Sequence, residues 1–254
     1  MTRPVSFACK AMALAGSFAL CSGALRAQTA PEDTGSAAAL AKATASLAVT
    51  PLRVELPTGA TAETVQVRNS TDAPMAVQMR VFAWTQVAGE DEYAPSGDLM
   101  VSPSIVSIPA GQTQLVRVLR KAPVSQGEKR FRLVIDQLPD PAKAKSGVAQ
   151  TRIRFAIPVF VDRDKADAAK FAWRLTEGNL ELANSGGAAA RIVQIEVKGA
   201  DGRVIPVEQN SLRYVLGASK ITWPIGKGCA LGKVTITAQI DGQTVDAEPV
   251  AACG

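Results

Sequence analysis

From Leu47 onward one pattern keeps returning: short runs in which apolar and polar side chains alternate, each closed by turn-forming residues. LAVTPLRVEL (47–56), ETVQVRN (63–69), MAVQMRVFAW (75–84), SIVSI (104–108), QLVRVLR (114–120), KRFRLVIDQL (129–138) and VAQTRIRFAIPVFV (148–161) all show it. Pro-Thr-Gly, Thr-Asp-Ala-Pro, Pro-Ser-Gly-Asp and Pro-Ala-Gly stand between them. Because successive side chains of a strand point to opposite faces, a period of two gives each strand one dry and one wet face. Val65 and Val67 alternate with Gln66 and Arg68. Phe131, Leu133 and Ile135 alternate with Arg130, Arg132 and, less regularly, Val134. Such strands belong to antiparallel sheets packed face to face, not to helical bundles or parallel α/β sheets.

A charged stretch, DRDKADAAK (162–170), interrupts the pattern, and a second strand-rich block follows. Its runs are KFAWRL, NLELANS, ARIVQIEVKG, SLRYVL, KITWPI, KVTITAQI and QTVDAEPV, and the Asp241–Gly242 pair between the last two is a hairpin signal. About seven strands in about 115 residues is an immunoglobulin-like count. The fold class expected is all-β, two immunoglobulin-like β-sandwich domains in tandem: residues 47–162, a linker at 163–170, and residues 171–254.

The start of the chain reads as a targeting signal. Arg3 and Lys10 precede an apolar, small-residue run from Ala11 to Leu25, and Ala24 and Ala27 are candidate cleavage positions. That is the three-part secretory signal, too short to span a bilayer comfortably, so residues 1–27 are expected to be removed. Residues 28–46, small and polar, read as a flexible N-terminal extension. The mature chain is expected outside the cytoplasm, without membrane insertion. Of 28 basic residues Arg3, Lys10 and Arg26 leave with the signal, so 25 remain against 23 acidic ones. A net charge of +2 gives no footprint for nucleic acid.

Two of the four cysteines, Cys9 and Cys21, lie in the signal; Cys229 and Cys253 remain. In an oxidising compartment that pair reads as a disulfide. Their spacing is not that of a CxxC redox motif, and with no histidine in the chain a zinc site would be short of ligands. The absence of histidine also removes the commonest general base and the Ser/His/Asp triad, so neither an enzyme nor a cofactor or metal is expected.

The first block resembles the N-terminal domain of PapD-like periplasmic pilus chaperones. The resemblance is carried by Arg53 in LAVTPLRVEL, VRN ending at Asn69, and VQMRVFAWTQ with Trp84. It continues through SPSIVSIPAGQTQLVRV with Pro103, Gly111 and Arg117, FRLVIDQLP ending at Pro139, and RIRFAIPVFV. The second block is similar in size, strand content and terminal cysteines. The VFV segment and the N-terminal extension look more like the archaic, spore-coat-type branch.

The resemblance implies a chaperone that binds pilus or fimbrial subunits by donor-strand complementation and delivers them to an outer-membrane usher. Main-chain hydrogen bonds of an added strand would give affinity and alternate side chains would fill pockets. It also implies that two basic residues grip the C-terminal carboxylate of the subunit: Arg53 on the first strand and Arg154 on the last, with Arg152, two residues earlier, as the alternate. A planar guanidinium suits a carboxylate because it can bind both oxygens. The donor strand would include Val148 and Gln150, although the stretch KAKSGVAQT (143–151) has Val148 as its only bulky apolar residue. Arg117 would serve an architectural ion pair, while Trp84, Phe131, Met75 and Met79 read as packing. A competing reading makes the chain a structural or adhesive component of a surface fibre. That reading requires an incomplete sandwich.

Overall fold

The computed structural model describes residues 46–140, 151–207 and 213–253. Residues 1–45, where the signal and the extension are expected, together with Val148 and Gln150, lie outside the described residues. Ten strands form the first sandwich: β1 (Leu47–Thr50), β2 (Val54–Leu56), β3 (Ala62–Asn69), β4 (Met75–Val87), β5 (Glu90–Pro95), β6 (Leu99–Ser102), β7 (Ile105–Ile108), β8 (Thr113–Arg120), β9 (Lys129–Gln137) and β10 (Arg154–Val161). One sheet runs β1-β3-β8-β6; the other runs β2-β10-β9-β4-β5, with β7 also paired to β4. The alternating Val65, Val67, Val116 and Val118 of one sheet meet Val77, Met79, Leu133, Ile135, Ile157 and Val159 of the other in a single core. Met75 and Met79 are among its buried members, as the strand period requires.

Three local features depart from the sequence expectation. LAVTPLRVEL is two strands: β1 pairs with β3 in one sheet, and after Thr50 the chain crosses to the other, where β2 pairs with β10. Within VAQTRIRFAIPVFV, residues 151–153 stand outside any strand and β10 begins at Arg154. The segment after Trp84 extends β4 and turns back as β5 through Ala88 and Gly89, both at positive φ. That left-handed pair is the two-residue hairpin geometry matched to strand twist.

The second sandwich contains β11 (Phe171–Leu175), β12 (Asn179–Asn184), β13 (Ala190–Gly199), β14 (Val204–Ile205), β15 (Arg213–Val215), β16 (Ser219–Pro224), β17 (Val234–Ile240), β18 (Gln243–Ala247) and β19 (Val250–Ala251). Its sheets run β16-β12-β11-β19 and β14-β13-β17-β18, with β15 on β13. Asp241 and Gly242, both at positive φ, make the expected hairpin between β17 and β18. Cys229 and Cys253 are bonded, their Cα atoms 5.9 Å apart.

Each sandwich closes a strand end with a buried asparagine. The Asn69 amide donates to the Ala73, Ile108 and Pro109 carbonyls while its oxygen accepts from Thr71. Asn184 does the same with the Ala188 and Leu216 carbonyls and the Lys170 and Gly186 amides. A fully satisfied buried amide is tolerated in a core where an unpaired one would cost about 1–3 kcal/mol.

A third apolar cluster joins the sandwiches: Trp84 and Phe160 of the first meet Ala189, Tyr214 and Leu216 of the second. Trp84 and Tyr214 pack edge to face with ring centroids 5.4 Å apart. Around it Gln86 accepts from the Leu216 amide and donates to the Tyr214 carbonyl, and Arg213 donates to the Gly89 carbonyl. Glu128, its side chain fully buried, accepts from the Ala189 amide and from Arg130, and pairs closely with Arg163. These polar groups are satisfied across the junction, as burial there demands.

Candidate partner-binding site

The strand order places most of the outward-facing basic residues of the first sandwich on one surface. In the six-stranded sheet β10 runs antiparallel to β9, pairing Pro158 with Arg132 and Arg154 with Asp136. It runs parallel to β2, pairing Val159 with Val54. Val54, Phe131 and Val159 point into the core, so their neighbours Arg53, Arg132, Pro158 and Phe160 point outward with Ala156 and Arg154. Among the described residues, β2 is the only strand on the far side of β10 and reaches only Val159–Val161. From Arg154 to Pro158 no strand among the described residues pairs with that edge of the ladder.

Arg53 sits where this surface meets the second sandwich. Its Nε donates to Glu55 at 2.7 Å, and Nη1 lies 3.7 Å from Asp241 of the β17–β18 turn. Its guanidinium stacks 4.8 Å above the Phe160 ring. Arg154 lies elsewhere. Its side chain is 66% exposed and pairs closely with Asp136, whose other oxygen takes Arg80 at 2.6 Å. Burial pushes the Asp136 carboxyl up, but hydrogen bonds and attraction from Arg154 and Arg80 outweigh it and hold the group below its ordinary value.

Arg53 and Arg154 share one face of the six-stranded sheet, on adjacent strands. Arg53 is level with Pro158, and four residues of strand span about 13 Å. Each guanidinium is also turned to its own carboxylates. Arg152 is exposed and precedes the strand, sharing with Gln78, Arg80, Asp136 and Arg154 the rim of a depression of about 550 Å³. Arg117 is exposed on β8; the architectural ion pair belongs to Arg120, 2.7 Å from buried Asp162.

Level with Arg53 on the other side of β10 lies Arg132, whose part the sequence reading did not single out. Its guanidinium lies 3.7 Å over the Trp84 ring and 5.6 Å from that of Tyr214. Burial raises the Tyr214 pKa, with Arg53, Arg191 and Arg132 opposing. The Arg130-Phe131-Arg132-Leu133 alternation was a signal that could have placed Arg132 on the wet face. Its aromatic bed could not be read, because Tyr214 comes from the other sandwich. Among the described residues no group of three metal-ligating side chains stands close enough to hold an ion.

Residues 46–165 match the family model described as pili and flagellar-assembly chaperone, PapD N-terminal domain. Among solved structures the chain is similar to the CsuC–CsuE chaperone–tip adhesion subunit pre-assembly complex from archaic Csu pili of Acinetobacter baumannii. There the TM-score is 0.62 at 20% identity, over 82% of this chain and 99% of that one. The E. coli chaperone DraB gives 0.59 at 21%, over 81% and 96%. The Salmonella enterica SafA pilin–SafB chaperone complex gives 0.57 at 18%, over 81% and 96%. No curated protein matches the chain. Residues 46–165 therefore match the PapD N-terminal domain of pili and flagellar-assembly chaperones, and the chain as a whole has the two-sandwich fold of PapD-like pilus chaperones.

Proposed function

We propose that this chain is an exported, periplasmic chaperone, not an enzyme. It holds pilus subunits by lending them a strand along the open edge of β10 and passes them to an outer-membrane usher. The observation that carries the reading is that edge, unpaired among the described residues from Arg154 to Pro158 and fixed on both sides further along the strand. Unpaired backbone groups on an edge are a template for another chain, and a subunit lacking a strand needs such a template. Arg53 at the junction and Arg154 at the edge are its basic contacts, at separate points of the bound segment. The competing reading, a fibre component, calls for a sandwich that lacks a strand; here β10 fills the sheet between β9 and β2.

Co-expressed with a pilus subunit, the chain should form a soluble one-to-one complex without nucleotide or metal, while the subunit alone aggregates or is degraded. A subunit that stays soluble and assembles normally in a strain lacking this chain would overturn the reading.

A further inference from the structure

The β4–β5 hairpin runs out beyond the first sandwich. β9 pairs with β4 only as far as Ala83, and past that point β5 is the only strand on β4 among the described residues. A two-stranded ribbon is marginal in water by itself, so its order must come from what it lies on. It lies on the second sandwich. Trp84 packs on Tyr214, and Gln86 reaches β15 with both ends of its amide. Its Nε2 donates to the Tyr214 carbonyl at 2.8 Å, and its Oε1 accepts from the Leu216 amide at 2.9 Å. Those are the two groups that one residue of a parallel neighbouring strand would bond, so the side chain stands in for a rung of sheet. The same Nε2 donates at 2.8 Å to Asp91, its cross-strand partner, which ties both strands of the hairpin to the contact. At the tip the Gly89 carbonyl accepts from Arg213 at 3.0 Å. Gly89 is so near β16 that a Cβ there would stand 3.6 Å from the Lys220 carbonyl oxygen.

The place of these contacts in the sheet gives them leverage. In the order β2-β10-β9-β4-β5 the chain leaves for the second sandwich from the end of β10, two strands from β4 and three from β5. At about 4.8 Å per strand the hairpin stands about 10–14 Å from the linker. On the linker side Glu128 holds Arg163 and the Ala189 amide, which makes that side the pivot. Beside the hairpin is a crevice of about 580 Å³, with Gln86, Ala88 and Gly89 on one wall and Ser185, Ala218 and Lys220 on the other. It leaves the hairpin room to lift. We propose that the hairpin is a latch: Gln86 fastens it to β15, and releasing that amide lets the second sandwich swing about the linker with both sandwiches still folded. Gln86 is a positioning residue, acting through the strand it holds. The latch goes beyond the chaperone reading, in which it fixes the angle of the junction where Arg53 sits.

Two measurements on the free full chain test it, comparing wild type with Gln86→Met, which keeps the volume and loses the amide. The Leu216 amide, whose acceptor is Gln86, should exchange its hydrogen at least about tenfold faster in the variant, while core amides such as those of Ile135 and Ile236 keep their rates. An unchanged Leu216 rate, or equal acceleration everywhere, overturns the proposal. In a weakly aligning medium the residual dipolar couplings of the two wild-type sandwiches should fit one alignment tensor, and those of Gln86→Met should need two. Two tensors already in wild type, or a single one in the variant, overturns the latch. If Gln86→Met does not fold, Gln86→Asn takes its place. One methylene shorter, it cannot reach Tyr214 and Leu216 from the same backbone and should give the same two results. Neither measurement involves a subunit, so a failed latch leaves the chaperone reading standing.

Discussion

The six-stranded sheet has two edges with the same backbone and opposite side chains. At one, β5 is paired only to β4, all six of its residues are exposed, and Glu90, Asp91 and Glu92 follow one another along it. At the other, the side of β10 left unpaired among the described residues begins with Arg154, preceded by Arg152 and followed on the same face by the apolar side chain of Ala156. An unpaired ladder is equally willing to bond at either edge. What differs is whom the charges admit. Three consecutive acids repel a second acidic strand and keep β5 solvated, while β10 offers basic and apolar groups to an incoming chain. The lesson is that an edge is blocked or opened by side chains, since the main chain supplies the hydrogen bonds in both cases.

The comparison breaks most easily where β10 is anchored. Asp162 ends the strand at φ 55 and accepts from Arg120 at 2.7 Å and from the Ser125 amide at 2.7 Å. Arg120 is nearly buried, with its Nε and Nη1 already lacking partners. Removing Asp162 leaves an uncompensated buried cation, so Asp162→Ala should cost about 3–5 kcal/mol in denaturant unfolding. The same pair sets an acid limit. Burial raises the Asp162 pKa, but the hydrogen bonds from Arg120 and Ser125 outweigh it and leave the group below the ordinary 3.8. A depressed carboxyl stabilises fully above its unfolded pKa and loses that contribution as pH falls through the folded one. Stability should therefore drop below about pH 4, and Asp162→Asn should flatten that slope.

Arg53 and Arg154 sharpen the comparison within the basic edge. Arg53 is mostly covered, at 29% exposure, whereas Arg154 is 66% exposed. Arg53→Ala should lower subunit affinity by about 2–5 kcal/mol, roughly thirtyfold to several-thousandfold. Arg154→Ala should cost no more than about 1 kcal/mol, because solvent screens an exposed ion pair and Asp136 keeps Arg80. Since they stand about 13 Å apart along the strand, the double mutant should be additive within about 0.5 kcal/mol. Coupling larger than that would restore a single shared ligand. Isothermal titration of the four proteins with one subunit decides it.

How much of this was legible in the chain follows from what each residue must satisfy locally. Val65, Val67, Leu133 and Ile135 announced their strands because alternation is imposed by burial on one side only. β5 was not legible: with both faces exposed, EDEYAP has no reason to alternate. Thr50–Pro51 hid a sheet switch inside a run that reads as one strand, since hydrophobicity continues across it while the pairing partner changes. Arg53 could be singled out by resemblance, but its distance from Arg154 depends on the parallel pairing of β2 with β10. That register joins residues more than a hundred positions apart and leaves no mark in either segment. The Arg132 platform was hidden for the same reason, its rings coming from β4 and β15.

The smallest expected effect belongs to the acidic edge, and it is the strictest test of the comparison. Glu90 and Glu92 are exposed, and no ion pair holds either of them among the described residues. Replacing both with lysine removes two like charges next to Asp91 and touches neither the junction nor the free side of β10. Surface substitutions of this kind usually change stability by less than about 0.5 kcal/mol. Subunit capture by Glu90→Lys/Glu92→Lys should then equal wild type, measured by the same titration. Replacing the two with threonine and valine should differ in another respect, because it strips the charge from a flat, unpaired strand and invites copies to pair there. Sedimentation should show that variant self-associating as concentration rises, with capture by each monomer unchanged. If either variant loses capture, β5 is part of the binding surface and the two edges do not divide the work by charge.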